Sequence, residues 1–123
     1  MPPAVRAIRG ATTVDDDTED QVIGRVQALL GAILERNRLA KDDLISIIFT
    51  ATDDIGSMFP ATAARRAMDL GDVPLLGARE LAVDGALPRC IRVLLHVNTR
   101  LERKEIHHVY LEDARGLRDD LPD

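Results

Sequence analysis

The most apolar stretch of the chain, residues 90–97 (Cys-Ile-Arg-Val-Leu-Leu-His-Val), sorts into two faces when read as a strand. Ile91, Val93, Leu95 and Val97 make one wholly apolar face, and Cys90, Arg92, Leu94 and His96 make the other. Residues 5–11 alternate more weakly and predict a first strand, while the isoleucine-rich run 44–50 predicts a buried one. Residues 73–76 and 107–111 predict two more. Between the first two strands the period changes. Val22, Ile23, Val26, Leu29, Leu30, Ile33 and Leu34 recur at three- and four-residue intervals, the stripe of an amphipathic helix over 17–38. Thr18, Glu19 and Asp20 at its start and Arg36 and Arg38 at its end suit the helix macrodipole. A short helix is predicted after Pro60, through Ala61, Ala63, Ala64 and Ala67, with proline at an early helical position.

One long helix, one short helix and about five strands describe an α+β fold with the helices on one face of a mixed sheet. The 123 residues show no repeat and no linker, and are expected to form one domain. A single amphipathic helix covers only part of a sheet face, yet the strands carry apolar residues on both sides. The second face therefore calls for another surface. That predicts a homo-oligomer, with sites where subunits meet.

Composition narrows the function. Hydrophobic residues make up 46% of the chain but aromatic residues only 2%, so the core must be aliphatic. The net charge is −5, with no long lysine/arginine cluster and no aromatic stacking platform, which argues against a nucleic-acid partner. One cysteine excludes an intramolecular disulfide and suits a reducing compartment. The N-terminal residues lack a signal-peptide apolar stretch, and no apolar run approaches membrane-spanning length. A cytoplasmic protein is expected, without a membrane partner.

Several polar residues stand where the pattern calls for apolar ones. Arg92 sits in the middle of the most apolar strand, where a guanidinium needs partners because it keeps its charge. It reads either as half of a structural ion pair with a carboxylate such as Glu80, or as a ligand-binding group. Arg9 lies at the end of the first predicted strand, before a Gly-Ala-Thr-Thr turn, and is either a strand-end charge or a second such group. Tyr110, the only tyrosine, is either a core-rim residue or a polar contact. Arg65 and Arg66 are most simply a solvated helix face, His107 and His108 surface or strand-packing residues, and Cys90 a small core residue. Three histidines without paired spacing to cysteine or carboxylate make a metal site unexpected. No phosphate-loop signature, nucleophile elbow or evident nucleophile–base pair is present. Several arginines, one carboxylate and one phenol suit a small polyanion, in particular a dicarboxylate, because arginine reads carboxylates bidentately. Chemistry at such a site comes from positioning and electrostatics.

Five collinear blocks make the chain recognisable: IRGATTV (8–14), FTATDDIGSMFPATAAR (49–65), VPLL with a following Arg-Glu (73–80), CIRVLL (90–95) and HVYLEDA with a following Leu-Arg (108–118). Together they closely resemble the monofunctional chorismate mutases of the Bacillus type, and the mixed pattern is unlike the all-helical chorismate mutases. The resemblance implies a homotrimer with a pseudo-α/β-barrel arrangement, sites at subunit interfaces and no cofactor. It implies the Claisen rearrangement of chorismate to prephenate in aromatic amino-acid biosynthesis. Carried over by position, Arg92 would donate to the breaking ether oxygen, Arg9 and Tyr110 would hold carboxylates, and Glu80 would accept the ring hydroxyl. From the neighbouring subunit, Phe59 and Ala61 would wall the pocket, Leu75, Leu76 and Gly77 would form another edge, and Arg65 would reach a carboxylate. Leu117 and Arg118 would come from a closing C-terminal segment, ahead of a solvated tail over 119–123. Two departures stand out: Thr62 where family members often carry lysine, and Gly77 where a cysteine can lie. The first removes a positive charge near the mouth. Two other readings stay open, a non-catalytic trimeric dicarboxylate-binding module and an imine/enamine deaminase.

Overall fold

The computed structural model describes residues 2–118, so the tail expected over 119–123 lies outside the described residues. The chain runs β1 (Ala4–Thr13), α1 (Glu19–Arg36), β2 (Leu44–Ala51), α2 (Pro60–Ala67), β3 (Leu75–Arg79), β4 (Cys90–Thr99) and β5 (Val109–Tyr110). Short 3₁₀ turns occupy Lys41–Asp43, Arg103–Glu105 and Glu112–Arg118. The five strands form one mixed sheet in the order β3-β2-β4-β1-β5. β4 pairs antiparallel with both β1 and β2, while the outer pairs β1–β5 and β2–β3 are parallel. The α+β architecture expected from the pattern is the one observed.

Helix α1 begins where Thr18 accepts a hydrogen bond from the Gln21 amide, an N-cap with Glu19 and Asp20 in the first turn. It ends at Asn37, and Arg38 turns into the left-handed region at φ 53°, so the helix stops two residues short of the expected end. Its stripe Val22, Val26, Leu29, Leu30 and Ile33 packs with Ile8, Ile47, Ile91, Val93, Leu95 and Val97 into one core that is aliphatic apart from the fully buried Phe49. Helix α2, with Pro60 opening it, adds Ala63 and Ala64 to the same face. The apolar face of β4 is buried in that core, as alternation requires.

Three boundaries differ from the sequence-based expectation, each through tertiary pairing. The Gly-Ala-Thr-Thr segment is not a turn: β1 continues through Thr13 because every residue to that point pairs with β4, and Arg9 therefore lies in mid-strand. Gly10 is there for close approach. A Cβ on it would stand 2.9 Å from Ile33 Cδ1 and 2.9 Å from the Val109 carbonyl oxygen. β3 begins at Leu75 rather than at 73 and runs on through Gly77, Ala78 and Arg79, residues of low strand preference held by pairing with Phe49–Ala51. The last strand is only Val109–Tyr110, because the segment before it is drawn toward the helix. Asn37 accepts a hydrogen bond from the His107 amide (2.7 Å) and donates to the His107 carbonyl (2.8 Å).

The helices cover one face of the sheet. The other is open except at its β1–β5 end, where the Glu112–Arg118 turn packs Ala114 and Leu117 against Ala11 and Tyr110. Alternation together with register defines what it displays. One row crosses all five strands: Ala78, Thr50, Arg92, Ala11 and Tyr110. The next row holds Leu76, Ile48, Leu94 and Arg9.

Candidate active site

The open-face rows set the site. Arg9, Ile48, Thr50, Glu80, Arg92, Leu94 and Tyr110 line a cavity of about 320 Å³, with Gly10 and Val93 contributing to its floor. Strand register supplies Thr50, Arg92 and Tyr110 from three different strands at one level. Glu80 follows β3 directly, where its amide donates to the Ala51 carbonyl (3.0 Å) and so extends the sheet edge by one bond. That bond carries the carboxylate back over β2. Thr50 Oγ1 donates to Glu80 Oε2 at 2.5 Å, and Arg92 Nε stands 3.4 Å from the same oxygen.

Arg92 reaches this carboxylate without satisfying its own donor. Its Nε is buried and makes no hydrogen bond among the described residues, although the Glu80 charge lies beside it. The strand is largely buried and the guanidinium is paired with Glu80, as expected, while the side chain as a whole is 42% exposed in the single chain, on the face of the sheet away from the helices. An arginine held by one carboxylate, with a donor unsatisfied and its remaining edge facing a cavity, is arranged to receive an acceptor.

The loop that returns the chain to β4 is tightly held. Arg89 adopts φ 47°, a conformation costly for a side-chain-bearing residue, and its amide is taken by both oxygens of Asp54 (3.1 and 2.9 Å). Its Nε donates to the Val14 carbonyl at 3.2 Å. Cys90, next in sequence, is a buried core residue whose amide donates to Thr52 Oγ1 at 2.9 Å. Burial pushes its thiol above the ordinary value, only partly offset by the nearby Arg92 charge. Beneath Tyr110, which is itself buried, lies a small second cluster of Ala11, Cys90 and Ala114 with Leu87 and Leu117 against it.

The structure thus brings Arg9, Glu80, Arg92 and Tyr110 to one cavity, and sets Leu117 against Tyr110's packing. Arg118 ends the described chain in the last 3₁₀ turn. The remaining candidates lie elsewhere on the same chain. Phe59, 74% exposed, and Gly77 line a separate depression with Phe49, Ile55 and Met58. Ala61 and Thr62 are half-buried in the first turn of α2. Arg65 caps its own surroundings, donating to the carbonyls of Gly71 (3.2 Å) and Val73 (2.8 Å). Leu76 shares the open face, whereas Leu75 and Gly77 alternate to the helix side. Among the described residues no three His, Cys, Asp or Glu side chains converge as a metal-binding group would.

Two contributors escaped the sequence reading. Thr50, which fixes Glu80, was signalled only by a hydroxyl inside an isoleucine-rich strand. His108, whose Nδ1 accepts the Arg9 amide proton at 3.0 Å, was signalled only by its place two residues before the single tyrosine.

Comparison with known proteins agrees with this geometry. Residues 5–121 match the family model described as chorismate mutase type I. Chorismate mutase AroH of Thermus thermophilus is 47% identical over 118 residues, covering 95% of this chain and 96% of that protein. Chorismate mutase AroH of Bacillus subtilis (strain 168) is 40% identical over 117 residues, covering 95% and 92%. A solved chorismate mutase from Clostridium thermocellum superposes with a TM-score of 0.87 at 49% identity, covering 90% of this chain and 98% of the other. A sheet with this register and an arginine–glutamate pair on its open face, matched over almost its full length, belongs to the type I chorismate mutase family.

Proposed function

We propose that this chain isomerises chorismate to prephenate, with Arg92 and Glu80 at the centre of the site. The observation that carries the reading is their juxtaposition at 3.4 Å in a cavity that Arg9 and Tyr110 also line, on a chain of this family. The reaction breaks an ether C–O bond as a C–C bond forms, within one molecule, and no proton, electron or group leaves. A cofactor is not required. The protein has two tasks: to hold the substrate folded, and to favour the charge that gathers on the departing oxygen.

Arg9 and Tyr110 hold the substrate carboxylates and Glu80 accepts the ring hydroxyl, which together restrict the substrate to its reactive shape. Arg92 donates toward the ether oxygen. That interaction strengthens as the C–O bond lengthens, so it lowers the barrier rather than merely deepening binding. Thr50 and Glu80 keep the guanidinium in place beforehand, so little reorganisation is left for the reaction itself.

The assembly we infer is a homotrimer in the cytoplasm. Val5, Leu76, Leu81 and Val83 are exposed apolar residues at or beside the open face, and a second chain covering them would complete each site. The neighbouring subunit would then bring Phe59, Ala61, Arg65 and the Leu75–Gly77 edge to the cavity, with Leu117 and Arg118 closing it. Thr62 supplies no positive charge there, which leaves substrate capture to the arginines. No helix among the described residues is long and apolar enough to cross a membrane.

The test is consumption of chorismate by purified protein, with the product identified, beside Arg92→Ala and Arg92→Lys. Prephenate is expected from the wild type. Losing one preorganised donor lowers kcat about 10²–10³-fold, and lysine, which keeps the charge but lacks the planar fork, restores little of it. With no proton transferred, kcat should be level between roughly pH 6 and 9. Tight binding of chorismate without turnover would replace this reading with a binding module, and ammonia release from an imino acid would replace it with a deaminase.

A further inference from the structure

We propose that His108 is a positioning residue for Arg9, its neutral imidazole standing in for a backbone carbonyl in the seam between β1 and β5. The inference rests on the role given to Arg9 above. The seam is short. Only Gly10–Val109 and Ala11–Tyr110 pair across it, with the Leu111 amide donating to the Ala11 carbonyl at 2.9 Å. One residue earlier, at Arg9, strand pairing with β5 has ended, and Asn37 holds both the amide and the carbonyl of His107 at the end of α1. His108 Nδ1 takes that amide proton instead, at 3.0 Å. The ring therefore completes the ladder at the residue that carries a site arginine, two positions before the site tyrosine.

The chemistry of this bond fixes the state of the ring. A backbone N–H can only donate, so Nδ1 must present its lone pair and any ring proton must sit on Nε2. Protonation of Nδ1 would turn two donors toward each other and break the contact. The surroundings oppose that. His108 lines a depression of about 370 Å³ with Arg6 and Arg9 from β1 and Arg103 from the second 3₁₀ turn, while Leu94 and Ile106 supply apolar wall. His107 stands next to it in the chain, and among the described residues no carboxylate lines the depression. Burial, then the Arg9 charge and then His107, hold the imidazole below the ordinary histidine value of 6.5. The lone pair on Nδ1 thereby stays available to lower pH than in an ordinary histidine.

Wild type, His108→Asn and His108→Leu separate this role from a merely structural one. The asparagine side-chain oxygen can occupy the place of Nδ1 and cannot be protonated in the working range, whereas leucine offers no acceptor. For wild type, KM for chorismate should climb on the acid side of pH 6.5 while kcat changes by less than about twofold. His108→Asn should keep the neutral-pH KM and lose that acid limb. His108→Leu should raise KM about three- to tenfold at every pH, the worth of one ordinary hydrogen bond. A second readout needs no substrate: in ¹⁵N-labelled protein the Arg9 amide should titrate with the same midpoint as the His108 ring. An Arg9 amide indifferent to that titration overturns the proposal, as does an acid limb retained in His108→Asn. Should the wild type fail to turn over chorismate while the amide still follows the ring, it is the catalytic reading that fails.

Discussion

Thr50 shows how much of the site depends on groups that never meet the substrate in the scheme above. Its hydroxyl fixes the Glu80 oxygen that faces Arg92. Thr50→Val keeps the shape of the side chain and removes that bond, so Glu80 is free to rotate and Arg92 loses its anchor. A fall in kcat/KM of about tenfold, near the worth of a hydrogen bond to a charged group, is expected in a chorismate assay, with the fold intact by circular dichroism. Cys90 gives a prediction of another kind. Its folded thiol titrates above the ordinary value because it is buried, so the unfolded chain ionises first as pH rises. Stability from this residue is complete below the unfolded value of about 8.5 and declines above it. Urea melts at alkaline pH should show that decline in the wild type and a smaller one in Cys90→Ala. At this scale Arg92, Glu80, Arg9 and Tyr110 were legible because each puts charge or a phenol into an apolar pattern. Thr50 and His108 were not, since a threonine in a strand and a histidine near a strand end break no pattern.

Among the elements, β1 is held closely from three sides. It is wedged between β4, β5 and α1, and Gly10 is where all three come nearest. Ile33 can swing its terminal methyl away from a new Cβ, but the Val109 carbonyl is backbone and cannot move without β5. Gly10→Ala should therefore cost about 1–3 kcal/mol, as overpacking does, and should loosen the seam that carries Arg9 and Tyr110. Urea denaturation measures the first effect, and a rise in KM for chorismate the second. The elements themselves were largely readable. The stripe of α1, the proline opening α2 and the two faces of β4 follow from local periodicity, and their observed bounds lie within two residues of those expected. What periodicity could not carry was pairing. The extension of β1 through Thr13, of β3 through Arg79 and the trimming of β5 all depend on residues far away in sequence.

For the molecule as a whole, the uncovered sheet face is the outstanding feature. A lone chain would leave Leu76, 63% exposed, in water beside the Ile48–Leu94 row. If three chains assemble over that face, Leu76→Asp places an uncompensated charge in the contact, and native mass spectrometry should show single chains where the wild type shows three. Its melting temperature should also stop depending on protein concentration, as expected once folding and association are uncoupled. The transverse row Ala78–Thr50–Arg92–Ala11–Tyr110 carries a different consequence, for how such a protein can change its length. Adding or deleting one residue within β4 would turn Arg92 into the aliphatic core and Val93 out to the cavity, and two residues would keep the face but move the guanidinium by about 7 Å, out of line with Thr50 and Tyr110. The strand is thus closed to insertion and deletion at every step. In the connection that leads into β4, the exposed residues 84–86, downstream of Glu80 and upstream of the Arg89 clasp, are where such change finds room.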